Sequence, residues 1–174
     1  YDVAILGLGA MGGATAYHLA KRGQRVIGID QHAPPHAHGS SHGRSRMIRE
    51  AYFEHPLYVP LVQRAYALWG ELERAAGDRT FFITTGGLMV GSESGPLVSG
   101  TLRSTEEHHL PHEVITARDL HRRYPAFSPL DEMVGVLEHR AGILLPQAIV
   151  QAHLELAAHH GAELRVDTRV DGWE

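Results

Sequence analysis

Val3-Ala4-Ile5-Leu6-Gly7-Leu8-Gly9-Ala10-Met11-Gly12 is the stretch whose reading decides the fold. A short apolar run from residue 2 that closes on glycine suits a strand buried on both faces, as in a parallel sheet. The G-x-G-x-x-G of Gly7, Gly9 and Gly12 then lies after a strand and opens a helix, where a dinucleotide-binding turn belongs. Gly7 allows the tight turn, Gly9 lets the backbone approach a pyrophosphate, and Gly12 lets the helix press on the strand. Free N–H groups at the helix start, around Ala10 and Met11, offer themselves to the anion.

Outward from this turn, the sequence predicts a helix over Ala10–Arg22 with Gly23 as its left-handed cap. A second strand follows over Arg25–Asp30. Asp30 stands 18 residues past Gly12, where a carboxylate accepts hydrogen bonds from ribose hydroxyls and repels a 2′-phosphate, so NADP is disfavoured while FAD and NAD both remain open. Near the other end, Pro146 starts a helix, Gly161 caps it, and Glu163–Asp167 reads as a strand. This pair supplies a third strand for the nucleotide sheet, with the intervening residues as an insertion. The expected fold is therefore α/β, a Rossmann-like βαβ core over 1–45 and 146–174 interrupted by a large α+β insertion over 46–145.

Within the insertion, Leu61, Ala65, Leu68, Trp69, Leu72 and Ala76 recur at helical spacing after Pro60, and Gly77 closes that helix. Short strands are expected at Phe81–Thr84 and Leu88–Val90 around Gly86-Gly87. A weaker helix is expected over Leu97–His109, then a short one capped by Thr116 and Asp119 that ends before Pro125. Met133–His139 reads as a strand.

The 174 residues carry a formal charge of −4, are 43% apolar and 21% charged, and include 19 Gly and 9 Pro, which is the profile of an ordered globular chain. Mild acidity with scattered basic residues gives no basis for nucleic-acid binding. No apolar run spans a bilayer, so no membrane partner is expected. The absence of cysteine removes disulfides and thiolate chemistry from these residues and agrees with a reducing, cytoplasmic setting. The chain starts without Met in a strand pattern and stops just after another, as a fragment would.

The 14 histidines are the unusual number. His36, His38 and His42 cluster with Ser40 and Ser41 in a Pro-, His-, Gly- and Ser-rich loop over 31–45, with Arg44, Arg46 and Arg49 just beyond. An H-x-H without an acid or thiolate is a poor metal set, so no metal is expected there. A loop leaving the carboxyl end of the second strand projects toward the ligand crevice. Arg46 and Arg49 share a face if helical and oppose each other if extended, and a guanidinium fork suits a carboxylate or phosphate. The remaining histidines read as solvated surface, so that up to 14 positive charges appear as pH falls through about 6.5.

With these residues in view, the sequence resembles the monomeric sarcosine oxidase and N-methyl-tryptophan oxidase family, FAD-dependent amine oxidases of the D-amino-acid-oxidase class. The resemblance is densest through Pro34-Pro35-His36, Gly39-Ser40-Ser41-His42-Gly43, Arg46-Met47-Ile48-Arg49, Ala51-Tyr52, Tyr58-Val59-Pro60-Leu61 and Leu68-Trp69. It implies FAD as cofactor, a small amino-acid substrate and O2 as reactants, and imine and hydrogen peroxide as products. By the same resemblance, Arg46 lies by the flavin ring, Arg49 binds the substrate carboxylate, and His42 sits near the flavin. Gly7, Gly9, Ala10, Met11, Gly12, Asp30 and Gln31 hold the ADP portion, Ser40, Ser41 and Ser45 face the flavin side, and Val170 contacts the adenine end. Arg44-Ser45 stands where the family has Asp-Thr, and Glu50 where it commonly has His. Such enzymes are much longer than 174 residues, and the covalent flavin tether and oxygen-activating lysine belong to their C-terminal half. An NAD-dependent dehydrogenase and a non-catalytic dinucleotide-binding subunit are the alternative readings.

Overall fold

The computed structural model describes residues 1–173. The chain runs through β1 (Val3–Leu6), α1 (Ala10–Lys21), β2 (Val26–Ile29), β3 (Arg46–Ile48), α2 (Tyr58–Ala75), β4 (Phe82–Thr84) and β5 (Gly87–Ser92). It continues through α3 (Pro96–Glu107), β6 (His112–Thr116), α4 (Ala117–Arg123), β7 (Met133–Glu138), β8 (Gly142–Leu144), α5 (Pro146–His159) and β9 (Glu163–Arg165). Two compact units emerge. The first comprises Tyr1–Arg46, Trp69–Phe81 and Leu144–Glu174, and the second Met47–Leu68 and Phe82–Ile143. Residues 69–81, inside the stretch expected as an insertion, thus group with the first unit.

The first unit is a parallel sheet of order β1-β2-β9, with Val3 opposite Val26 and Ile27 opposite Glu163. Both crossovers step the same way across the sheet, so right-handed connections place α1 and α5 on one face, where they pack together. Leu8, Ala16, Tyr17, Val26, Leu72, Phe81, Val150 and Ala157 belong to one buried apolar cluster there. Gly28 on β2 leaves room for the buried Leu8 side chain, since a Cβ there would come 2.6 Å from Leu8 Cδ2.

The second unit contains an antiparallel sheet of order β5-β7-β6, in which Met89 and Val114 both face Val136 in register. A three-stranded sheet of order β3-β8-β4 lies in this unit apart from its end residues Arg46 and Leu144. The strands flanking Gly86-Gly87 therefore belong to different sheets. Thr116 caps α4 as the sequence predicts, its hydroxyl accepting the Asp119 N–H at 3.2 Å. Helix α2 begins at Tyr58, two residues before Pro60, because a proline in the first turn removes only an N–H that has no helical partner.

One expectation about the histidines fails. His153, on α5, is 4% exposed rather than solvated, with its ring 5.8 Å from that of Tyr17 and 6.2 Å from that of Trp69. Burial, aided by the charge of nearby His18, pushes its pKa down from 6.5 to about 4. Neutral His153 fits the folded state, so its contribution to stability is complete above pH 6.5 and is lost progressively as pH falls toward about 4. That interval is equivalent to about 3 kcal/mol. Denaturant titrations at a series of pH values should show this decline in the wild-type protein and a flatter profile for His153→Leu.

Candidate functional site

The glycine turn has the geometry its sequence demands. Gly7 adopts φ +91°, a conformation that side chains resist, and its N–H donates to the Ile29 carbonyl at 2.8 Å. At Gly12 a Cβ would collide with the Gly7 carbonyl oxygen and lie 3.2 Å from Ile5 Cγ2. Helix α1 starts at Ala10 with Gly9 as a cap that supplies no side-chain acceptor of its own. The Ser41 hydroxyl, from the loop after β2, accepts the Ala10 N–H at 3.0 Å instead.

Asp30 lies just beyond the end of β2 and is 8% exposed. Its Oδ2 accepts the Leu8 N–H at 2.7 Å, and its Oδ1 accepts the His32 N–H at 3.0 Å with His36 Nε2 at 3.4 Å. Burial raises the pKa of this carboxyl, but the bonds from Leu8, His32 and His36 outweigh it and hold the group below the usual carboxylate value. Asp30 is thus an ionised acceptor at neutral pH. The local sequence gave no signal that Leu8 or His36 would be its partners, since both contacts arise from chain reversal.

These groups border one cleft of about 550 Å³ in the first unit. Gly7, Gly9 and Gly12, with the helix start at Ala10 and Met11, form part of its lining. Asp30 and Gln31 enter from the end of β2, Ser40 and Ser41 from the loop, and Val170 from the segment after β9. Thr168 and Arg169 also border it, and the sequence reading did not single them out. His32, His36 and His38 gather at this cleft, the rings of His32 and His38 stacked at 4.1 Å. Among the described residues no group of three or more His, Cys, Asp or Glu is arranged to hold a metal ion.

Ser45, Arg46 and His42 are absent from that lining among the described residues. Arg46 clamps its own loop: its guanidinium donates to the carbonyl oxygens of Ser40 at 2.7 Å, His42 at 2.6 Å and Ser45 at 2.9 Å. His42 Nδ1 lies 2.5 Å from the Gly39 carbonyl oxygen. Arg49 belongs to the second unit, where its Nη2 donates to both Glu54 carboxylate oxygens at 2.8 and 2.9 Å. The Tyr52 and Phe53 rings lie 4.6 and 5.1 Å from the guanidinium carbon. Of the two conformations open to the R-x-x-R stretch, β3 is the extended one.

A bare glycine cradle, a helix start beside it and an ionised acid at the end of β2 fit the ADP portion of a dinucleotide. The family described as FAD dependent oxidoreductase matches residues 2–174, and the chain belongs to it. FAD is the cofactor of that family, which closes the choice between FAD and NAD. Relatives include the monomeric sarcosine oxidase of Streptomyces avermitilis, 45% identical over the whole of this chain and 45% of its own length. N-methyl-L-tryptophan oxidase of Escherichia coli is 35% identical over 92% of this chain and 43% of its own length. The chain thus spans less than half the length of these relatives. Among solved structures, NikD, an unusual amino acid oxidase essential for nikkomycin biosynthesis, superposes with a TM-score of 0.83 at 28% identity, covering 96% of this chain and 43% of that one. L-Proline dehydrogenase from P. horikoshii shares the fold, with a TM-score of 0.81 at 23% identity over 99% of this chain and 46% of that one.

Gly12→Ala should destabilise the protein by about 2 kcal/mol or more, because the colliding atom is backbone and the helix must move. Urea denaturation should read that loss, and flavin absorbance after reconstitution should be lost with it.

Proposed function

We propose that the full-length protein carrying this chain oxidises a secondary N-methyl amino acid with O2, giving the imine and hydrogen peroxide. The observation that carries the reading is the single cleft that gathers the glycine turn, ionised Asp30, Ser41 and Val170. In this proposal residues 1–45 and 146–174 form the FAD-binding part. Residues 46–145 are divided between helix packing on it and the substrate domain. FAD, when bound, supplies the acceptor for the electron pair removed from the amine.

The chain's own residues bind and orient. The Met11 N–H, and that of Ala10 on leaving the Ser41 hydroxyl, take the pyrophosphate, with Gly7, Gly9 and Gly12 allowing the approach, and Asp30 with Gln31 takes the ribose. Ser40, Ser41 and Ser45 line the path toward the ring system, Arg46 and His42 stand by that ring, and Val170 meets the adenine end. Arg49 anchors the substrate carboxylate, and the Glu54 carboxylate already held by its Nη2 supports that choice of ligand. A fixed carboxylate turns a random encounter of the amine into a positioned one. A cysteine-free chain agrees with a cytoplasmic protein, and among the described residues no helix is long and apolar enough to cross a membrane.

Full-length Arg49→Ala should bind flavin normally yet raise the KM for an N-methyl amino acid by about 10- to 100-fold, the loss expected for a charged hydrogen-bonded contact. Steady-state kinetics with an unchanged KM would remove the anchoring role. A colourless full-length protein after reconstitution, or peroxide formation that requires a second subunit, would remove the oxidase reading itself.

A further inference from the structure

Glu138, the last residue of β7, is 2% exposed, which is an expensive place for an acid unless its oxygens are used. They are. Oε1 accepts the backbone N–H of Glu50 at 2.5 Å and Oε2 that of Ala51 at 2.9 Å, the two peptide groups that immediately follow Arg49. Each oxygen of a carboxylate accepts, so one side chain serves two adjacent N–H donors, and these two bonds oppose the burial that pushes the Glu138 pKa up. The rest of the segment is held equally closely. The Ser104 hydroxyl donates to the Tyr52 carbonyl at 2.5 Å, and only glycine fits at position 100, where a Cβ would collide with the Phe53 carbonyl. Glu50, 1% exposed, has Arg140 Nη1 at 3.4 Å from its carboxylate, and Tyr66 Oη donates to the Arg140 carbonyl at 3.0 Å. All of these residues lie in the second unit.

The consequence for Arg49 is direct. Its Cα is bonded to the first of the pinned peptides, and its guanidinium lies against Tyr52, whose carbonyl accepts from Ser104, and against Phe53, whose carbonyl lies close against Gly100. We propose that Glu138 is a positioning residue for Arg49, holding the Glu50 and Ala51 N–H groups so that the guanidinium is aimed at the carboxylate of an amino-acid substrate. This rests on the reading of Arg49 as the carboxylate anchor.

The test is steady-state kinetics of the full-length, flavin-loaded protein with an N-methyl amino acid and with an N-methyl amine that lacks the carboxyl group. Glu138→Gln turns one acceptor into a donor facing a donor. It should raise the amino-acid KM about tenfold, a loss in the range of one hydrogen bond to a charged group, with kcat and the flavin spectrum unchanged. The kcat/KM for the carboxyl-free amine should not change. Glu138→Asp keeps the charge and should raise the KM less; should the Gln variant fail to fold, the Asp variant decides by the same comparison. Equal losses on both substrates, or an unchanged amino-acid KM, would overturn the proposal. If Arg49→Ala raises the KM while both Glu138 variants are silent, the positioning role alone fails; if Arg49→Ala is also silent, the anchor reading fails first.

Discussion

The bond from the Leu8 N–H to Asp30 Oδ2, 2.7 Å long and shielded from water, is the constraint on which the nucleotide cleft depends. It ties the turn after β1 to the end of β2, and the Gly7 N–H to Ile29 carbonyl bond runs beside it. Asp30 also binds through its backbone, its N–H donating to the Arg165 carbonyl and its carbonyl accepting the Thr168 N–H, both at 2.9 Å. One residue thus fixes the turn, the second strand and the segment that brings Val170 to the cleft. Because the hydrogen bonds favour the charged form, the clamp stays intact at neutral pH. A carboxylate has about four lone-pair sites, so the contacts from Leu8, His32 and His36 leave limited room, and a ribose bound as proposed would compete with the imidazole, the longest of the three contacts.

How much of this was legible follows from the distance over which each feature is encoded. The βαβ start was readable because a strand, a glycine turn, a capped helix and a terminal acid lie within 30 residues and agree with one another. The third strand was readable because Pro146 and Gly161 mark its preceding helix. Strands β3 and β8 were not read: each is three residues long and exists through its neighbours, without an apolar alternation of its own. Strand β6, His-Glu-Val-Ile-Thr, was hidden by its polar start after Pro111. The glycine pair at 86–87 carried a turn signal but not its destination, since which sheet each flanking strand joins is decided elsewhere in the chain.

Buried polar residues were the least legible part of the site. Nothing near Glu138 in the sequence points to the N–H groups of Glu50 and Ala51, which are 88 and 87 residues away. Nothing around His153 distinguishes it from the exposed His159 and His160 except its place on the inner face of α5, beside Ile149, Val150 and Ala157. Helical phase was the available signal: four and three residues separate His153 from Ile149 and Val150, which puts them on one face. That phase sets His153 apart from the other histidines expected as solvated surface.

The two arginines of the R-x-x-R stretch differ in what neutralises them, and that difference bears on their roles. The partners of Arg46 are carbonyl oxygens, which satisfy its N–H donors without cancelling its charge. It fixes the 40–45 loop and still presents a positive centre there, a combination that a lysine, with a compact ammonium, would not reproduce with the same fork geometry. Arg49 is paired with a carboxylate and flanked by two aromatic rings. Its side chain is 17% exposed while that of Glu54 is 43% exposed, so the acid is the more hydrated and more easily exchanged member of the pair. An incoming carboxylate that replaced Glu54 would conserve the ion pair's charge balance. The net cost of exchange would be the release of one exposed side chain to water, and not the exposure of a bare buried charge.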